Sequence, residues 1–215
     1  MITIVCAQTK GGSGKSTLAQ CLSVEAALRG RRVQLLDLDP AQSAAKWWRR
    51  RGGPENPILA MDAPSMPAFL ASLQRRRLPD VLIVDTPGEL LGVIRDAITA
   101  SDVVVVPIAP SVKDWEALDS CEAIINSTGK RDAALFIVNR FRANTESSIE
   151  IRRALHTRTG AIPLTIALAT DHERADALGK TGAEINTRIA GEVGLLWQEA
   201  ERIGTRVKKH SIPAA

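Results

Sequence analysis

Six short runs of consecutive apolar, largely β-branched residues punctuate the chain: Ile2–Ala7, Val33–Asp37, Val81–Asp85, Val103–Pro107, Ala134–Val138 and Ile162–Ala167. They are continuous rather than alternating, as in strands covered on both faces. Between them, longer stretches repeat their apolar positions every three or four residues. These predict helices near Ser16–Arg29, Ala41–Arg51, Pro67–Arg76, Leu90–Ala100, Val112–Thr128, Ser147–Thr159 and Gly182–Val207. Strand and helix in alternation build parallel strands with crossover helices, so the expected fold is α/β: a doubly wound, mostly parallel sheet with helices on both faces. Gly30 and Gly129 stand where helices would end in a left-handed residue. Residues 52–57 read as a loop on turn chemistry, and 210–215 as a frayed tail after one domain over 1–209.

Composition adds limits. With 215 residues, 45% of them hydrophobic and 24% charged, the chain can bury a continuous core and is not disordered throughout. Its longest apolar runs fall far below the ~20 residues that span a bilayer. The N-terminus shows no secretory pattern, which points to the cytoplasm. Cys6, Cys21 and Cys121 are widely spaced in apolar stretches and read as small core residues, with no disulfide framework and no CxxC site. The formal charge is +4, unevenly placed: residues 1–139 carry sixteen Lys/Arg against fifteen Asp/Glu, residues 140–215 twelve against nine. A basic final third suits a polyanion and suits solvated helix faces equally.

Ligands of such sheets bind beyond the carboxyl ends of the strands, where Lys10–Thr17, Asp37–Asp39, Asp85–Gly88 and Asn139–Arg140 fall. After the first strand comes Lys10-Gly11-Gly12-Ser13-Gly14-Lys15-Ser16-Thr17 and then an apolar helix. Glycines let backbone N–H groups turn inward around phosphates, and a helix N-terminus adds its positive dipole end. Lys15 is placed to reach the β- and γ-phosphates and Ser16 to bind Mg²⁺. Asp37 and Asp39, two residues apart at a strand end, would point to one side, where carboxylates beside a triphosphate serve metal binding and water positioning. The strand closing in Asp85-Thr86-Pro87-Gly88 places a further acid for Mg²⁺, with Gly88 allowing close backbone approach.

A literal G-x-x-x-x-G-K-[ST] search fails, because Thr9 stands where the first glycine would be. What matches is Lys-Gly-Gly-x-Gly-Lys-[Ser/Thr], with the second lysine, Lys10, at the head of the loop. This resembles the deviant Walker A motif of the ParA/MinD family of ATPases. Segments Val105–Ser111 and Phe136–Arg140 are similar to that family too, so the likeness covers most of residues 1–140. The resemblance implies ATP and Mg²⁺ as ligands and a nucleotide-sandwich homodimer in which Lys10 reaches the phosphates held by the other subunit. It further implies that Asp39 orients the attacking water, that Asp37 supports the Mg²⁺ shell, and that adenine is recognised near Asn139 and Arg140. Asp39-Pro40-Ala41-Gln42 departs from the family's Asp-Pro-Gln, which leaves Gln42 without an assigned role.

Within the family, paired cysteines at a dimer face would mark an iron protein; they are missing here. The segment Leu195–Ile203 has two acids in mid-segment and no basic polar face, against a MinD-type membrane helix and for core packing with Val207. Partitioning ATPases bind DNA nonspecifically as ATP dimers and meet a ParB-like or adaptor protein that stimulates hydrolysis. Arg152, Arg153 and Arg158 on one helix, with Arg202, Arg206, Lys208 and Lys209 on another, could supply phosphate contacts. Lys46-Trp47-Trp48-Arg49-Arg50-Arg51 is a second basic candidate, read mainly as packing with a solvated end. No operator-reading segment precedes the first strand, so the expectation is nucleoid association without site-specific repression. The alternatives are a metabolic enzyme of the dethiobiotin synthetase type and a MinD-like membrane-surface switch; Lys10 and Asp39-Pro40 favour the dimer switch.

Overall fold

The computed structural model describes residues 1–53, 57–60, 66–73 and 79–210. The strands are β1 (Ile2–Cys6), β2 (Val33–Asp37), β3 (Ile58–Ala60), β4 (Val81–Asp85), β5 (Val103–Ile108), β6 (Ala134–Phe141) and β7 (Leu164–Ala167). The helices are α1 (Lys15–Leu28), α2 (Ser43–Arg50), α3 (Met66–Leu73), α4 (Leu91–Ala100), α5 (Val112–Ser127), α6 (Glu146–Thr159), α7 (Thr170–Ala177), α8 (Gly182–Ile185) and α9 (Thr187–His210). The strands lie in the order β3-β2-β4-β1-β5-β6-β7, and every pairing is parallel. This is the doubly wound α/β architecture expected.

Alternation along the strands sorts their side chains into two cores. Ile4, Cys6, Leu35, Ile83 and Val105 pack against α1, α2 and α9; Val5, Leu36, Val84, Val104 and Val138 pack against α3, α4, α5 and α6. Both faces are thereby dry, which explains the unbroken apolar runs. The three cysteines are free and buried in these cores. Trp47, fully buried, donates from its indole N–H to the Lys180 carbonyl at 3.0 Å, and half-buried Trp48 donates to the Pro57 carbonyl at 2.9 Å. On α9 the residues Leu196, Ala200 and Ile203 are buried and Val207 packs at their edge, as read, although Leu195 is exposed.

Several boundaries differ from expectation. β7 begins at Leu164 because Ile162 is 73% exposed. α2 begins at Ser43, two residues late, because Asp39 and Asp37 hold the preceding turn through the backbone N–H groups of Ala41 and Ala45. The single helix expected over Gly182–Val207 is two: α8 ends at Ile185, the side-chain oxygen of Asn186 then accepts from the N–H groups of Arg188 and Ile189 to open α9, and α9 runs on to His210. β3 and α7 had no counterpart in the reading. Gly30 and Gly129 do end their helices at φ +77° and +68°. Of the loop at 52–57, positions 54–56 lie outside the described residues, as do the end of the helix expected at Pro67–Arg76 and residues 211–215 of the expected tail.

Candidate functional site

Strand register assembles the site. Cys6 and Asp37, the last residues of β1 and β2, both pair with Asp85, the last residue of β4, so three strands end level with one another. The loop after β1 rises from this edge and feeds directly into α1. Its turn depends on Gly14, whose φ of +98° excludes most side chains and where a Cβ would meet the Asn139 amide nitrogen at 2.1 Å. That amide donates to the Ser13 carbonyl at 2.8 Å, so β6 braces the loop from behind. Gly88 is required for a different reason: a Cβ there would stand 2.7 Å from the Gly11 nitrogen, so the turn after β4 lies against the loop's backbone.

A cavity of about 560 Å³ opens above the loop, walled by Gly12, Gly14, Lys15, Ser16, Asp39 and Arg140 among others. Lys15 is 5% exposed and donates to the Lys10 carbonyl at 2.8 Å, closing the loop on itself. Burial draws its pKa down, opposed by Asp85 and Asp39. Asp85 is fully buried, and neither carboxylate oxygen completes a hydrogen bond. Burial pushes its carboxyl up to about 8, with the Ser16 hydroxyl and Lys15 pulling down and Asp37 and Asp39 adding to the rise. Such a group calls for a cation, because an unpartnered buried carboxylate is costly.

Asp37 and Asp39 share this edge but differ in use. Both Asp37 oxygens accept from backbone, one from Asp39 N at 3.0 Å and the other from Ala45 N at 2.9 Å, so Asp37 ties the loop to α2. Asp39 spends one oxygen on Ala41 N and lines the cavity. A second cavity of about 290 Å³ adjoins the first, lined by Thr17, Asn139, Arg140 and His172 among others. Arg140 is exposed at φ +54° and borders both. Both ring nitrogens of His172 are buried without a hydrogen-bond partner, and burial lowers its pKa.

Lys10 is not a free loop lysine. Its ammonium pairs with Asp114 of the same chain, at the start of α5. Asp114 had no expected role, although Ser111-x-x-Asp114 at a helix start is a capping signal, and Ser111 does cap α5. Lys46 and Arg50, expected as part of a basic candidate surface with a solvated end, border the first cavity instead, together with Asp176, which had no expected role.

The basic residues read as a DNA surface are not brought together. Arg152 and Arg153 are exposed on α6, against one core, while α9 covers the other face of the sheet. On α9, Arg202 pairs with Glu199, Arg206 donates to the Asp132 carbonyl and Lys208 pairs with Asp102. Lys209 borders a groove shared with Arg31, Arg206 and His210. Asp102 and Asp132 precede β5 and β6, so this groove lies at the strands' amino ends, opposite the phosphate loop.

Fold and site together define a phosphate-loop nucleotide-binding protein with an additional lysine at the head of its loop. The chain belongs to the CobQ/CobB/MinD/ParA nucleotide binding domain family, which it matches over residues 4–179. It is 34% identical over 115 residues to protein ParA of Rhizobium radiobacter, a match covering 53% of this chain and 51% of that protein, so it spans about half the length of that relative. It is 28% identical over 181 residues to the maintenance of carboxysome distribution protein A of Halothiobacillus neapolitanus, covering 80% of each. Its fold is that of a plasmid partition protein from Borrelia burgdorferi bound to AMPPNP, with a TM-score of 0.72 at 18% identity over 98% of this chain and 99% of the other.

Proposed function

We propose that residues 1–209 form one ATP-binding unit that pairs around ATP and Mg²⁺, holds nonspecific DNA in that state, and hydrolyses ATP slowly until a ParB-like or adaptor protein accelerates it. Repeated binding and release would position or partition a cargo on the nucleoid. The observation that carries this reading is one cavity lined by the phosphate loop and Asp39, with the unpartnered Asp85 buried at the end of β4, level with the ends of β1 and β2, and Lys10 at the loop's head. The relatives support the cargo role, one being a ParA and the other a carboxysome distribution protein.

In this reading Gly11, Gly12, Ser13 and Gly14 offer backbone N–H groups to the phosphates and Thr17 lies at the entry of α1 beside them. Ser16 and Asp85 fit Mg²⁺, as hard oxygen donors of which one is a buried carboxylate without a partner; the ion would neutralise charge on the transferring phosphoryl group. Asp37 acts by holding the loop that carries Asp39, whose free oxygen orients water. Lys15 neutralises phosphate within the subunit and Lys10 does so in the partner subunit. Asn139 and Arg140 flank the second cavity, on the side where the base would rest. The packed apolar stripe of α9 supports DNA over membrane as the surface used. Light scattering tests the core of this proposal: the chain should double its mass with ATP and Mg²⁺ and remain monomeric with ADP, and equal mass in both would sink it.

A further inference from the structure

Asp114 occupies the first turn of α5 with its side chain only 3% exposed. Its Oδ2 meets both the Lys10 ammonium and the Ser111 hydroxyl, while Oδ1 is buried without a hydrogen-bond partner. Ser111 Oγ in turn accepts from the Asp114 N–H at 3.2 Å. The head of the loop is fastened to the same helix, since Thr9 donates from its hydroxyl to the Ala117 carbonyl at 2.9 Å. Lys10 therefore faces a fixed, buried carboxylate within its own subunit.

One ammonium cannot serve this carboxylate and a partner's triphosphate together. When Lys10 leaves, Asp114 keeps a single hydroxyl as partner, and a largely buried carboxylate stripped of its cation is disfavoured. We propose that Asp114 is a positioning residue that retains Lys10 in its own subunit and so sets the ATP-driven pairing threshold, yielding the lysine only to the more highly charged triphosphate across the interface. The inference rests on the sandwich reading above and adds to it the competitor that opposes pairing.

The test compares the concentration midpoint for ATP-dependent dimerisation, by light scattering or sedimentation, in the parent, Asp114→Asn and Asp114→Glu chains, with thermal melting as a fold control. Removing the charge should lower the midpoint tenfold or more and raise basal ATP turnover at low protein concentration, whereas Asp114→Glu, which keeps the charge, should stay near the parent. In a Lys10→Gln background Asp114→Asn should no longer lower the midpoint. A purely structural role predicts the opposite direction, a lower melting temperature with weaker pairing. If Asp114→Asn does not fold, Asp114→Ser reads the same quantity. An unchanged or higher midpoint in a folded variant overturns the role of Asp114. A parent that does not pair with ATP overturns instead the sandwich reading on which it rests.

Discussion

Lys15 and Asp39 face the same cavity but act on different steps. Lys15 is buried inside the loop with its charge aimed at phosphate, so Lys15→Ala should abolish nucleotide binding, read by equilibrium titration. Asp39 touches only its own turn, so Asp39→Ala should bind ATP within a fewfold of the parent and lose about 10²-fold or more of turnover, the usual reach of a positioned base. Parental hydrolysis in Asp39→Ala would remove its water-positioning role. His172 gives a pH signature. Burial lowers its pKa from 6.5, so the folded chain prefers the neutral ring; its contribution is present above pH 6.5 and is lost as pH falls through the lowered value. The melting temperature should therefore drop between pH 7 and pH 5 more steeply in the parent than in His172→Gln. The phosphate loop was legible because its glycines and lysine do their work within eight consecutive residues. His172 and Asp176 were not, since both lie on α7, which buries only Ala175, and Asp114 meets Lys10 only through the packing of α5 beside the loop.

At the scale of elements, close approach decides where side chains are forbidden. A Cβ on Gly204 would stand 2.5 Å from Ile2 Cγ2 and 3.3 Å from Val103 Cγ2, so α9 approaches β1 and β5 closely at this glycine. Gly204→Val should cost about 1–3 kcal/mol by overpacking. Gly191, exposed on the same helix with nothing within 4 Å, is the control: Gly191→Ala should stabilise by about 0.5–1 kcal/mol. Urea denaturation of both variants checks the sign as well as the size. The central strands announced themselves through burial on both faces. β3 is three residues at the sheet edge, and α7 buries only Ala175, so neither leaves a periodic trace to read. The break before α9 was readable in principle, because Asn186 is a good N-cap residue.

For the whole molecule, the separation of the basic groups matters more than the net charge of +4. Two surfaces, one on α6 and one at the far end of α9, cannot grip the same few phosphates of one duplex from one subunit. Arg152→Glu with Arg153→Glu, compared with Lys209→Glu, should show which is the contact face. The true face should weaken ATP-dependent binding to unrelated duplexes alike and reduce the salt slope by about 0.9 per lost phosphate contact. Filter binding with ATP and with ADP at several salt concentrations measures both, and binding equal in the two nucleotides would separate DNA affinity from the switch. Lys208 is a poor probe, since it also pairs with Asp102, whose other oxygen holds Thr3 N at 2.9 Å.

The central position of β1 governs how the chain comes together in time. Its partners are late in sequence: Ile2 pairs with Val81 and Ile4 with Val103, and Gly204 closes over Ile2 from the last helix. The first strand thus waits for segments roughly 80, 100 and 200 residues downstream before its surroundings exist, and loops of that length make folding slow relative to local structure. During synthesis the phosphate loop thus emerges well before β4, β5 and α9, the elements that frame it. Nascent chains halted before β5 should consequently show no nucleotide protection against protease, and competence for ATP should arrive as a late, cooperative step once α9 has docked.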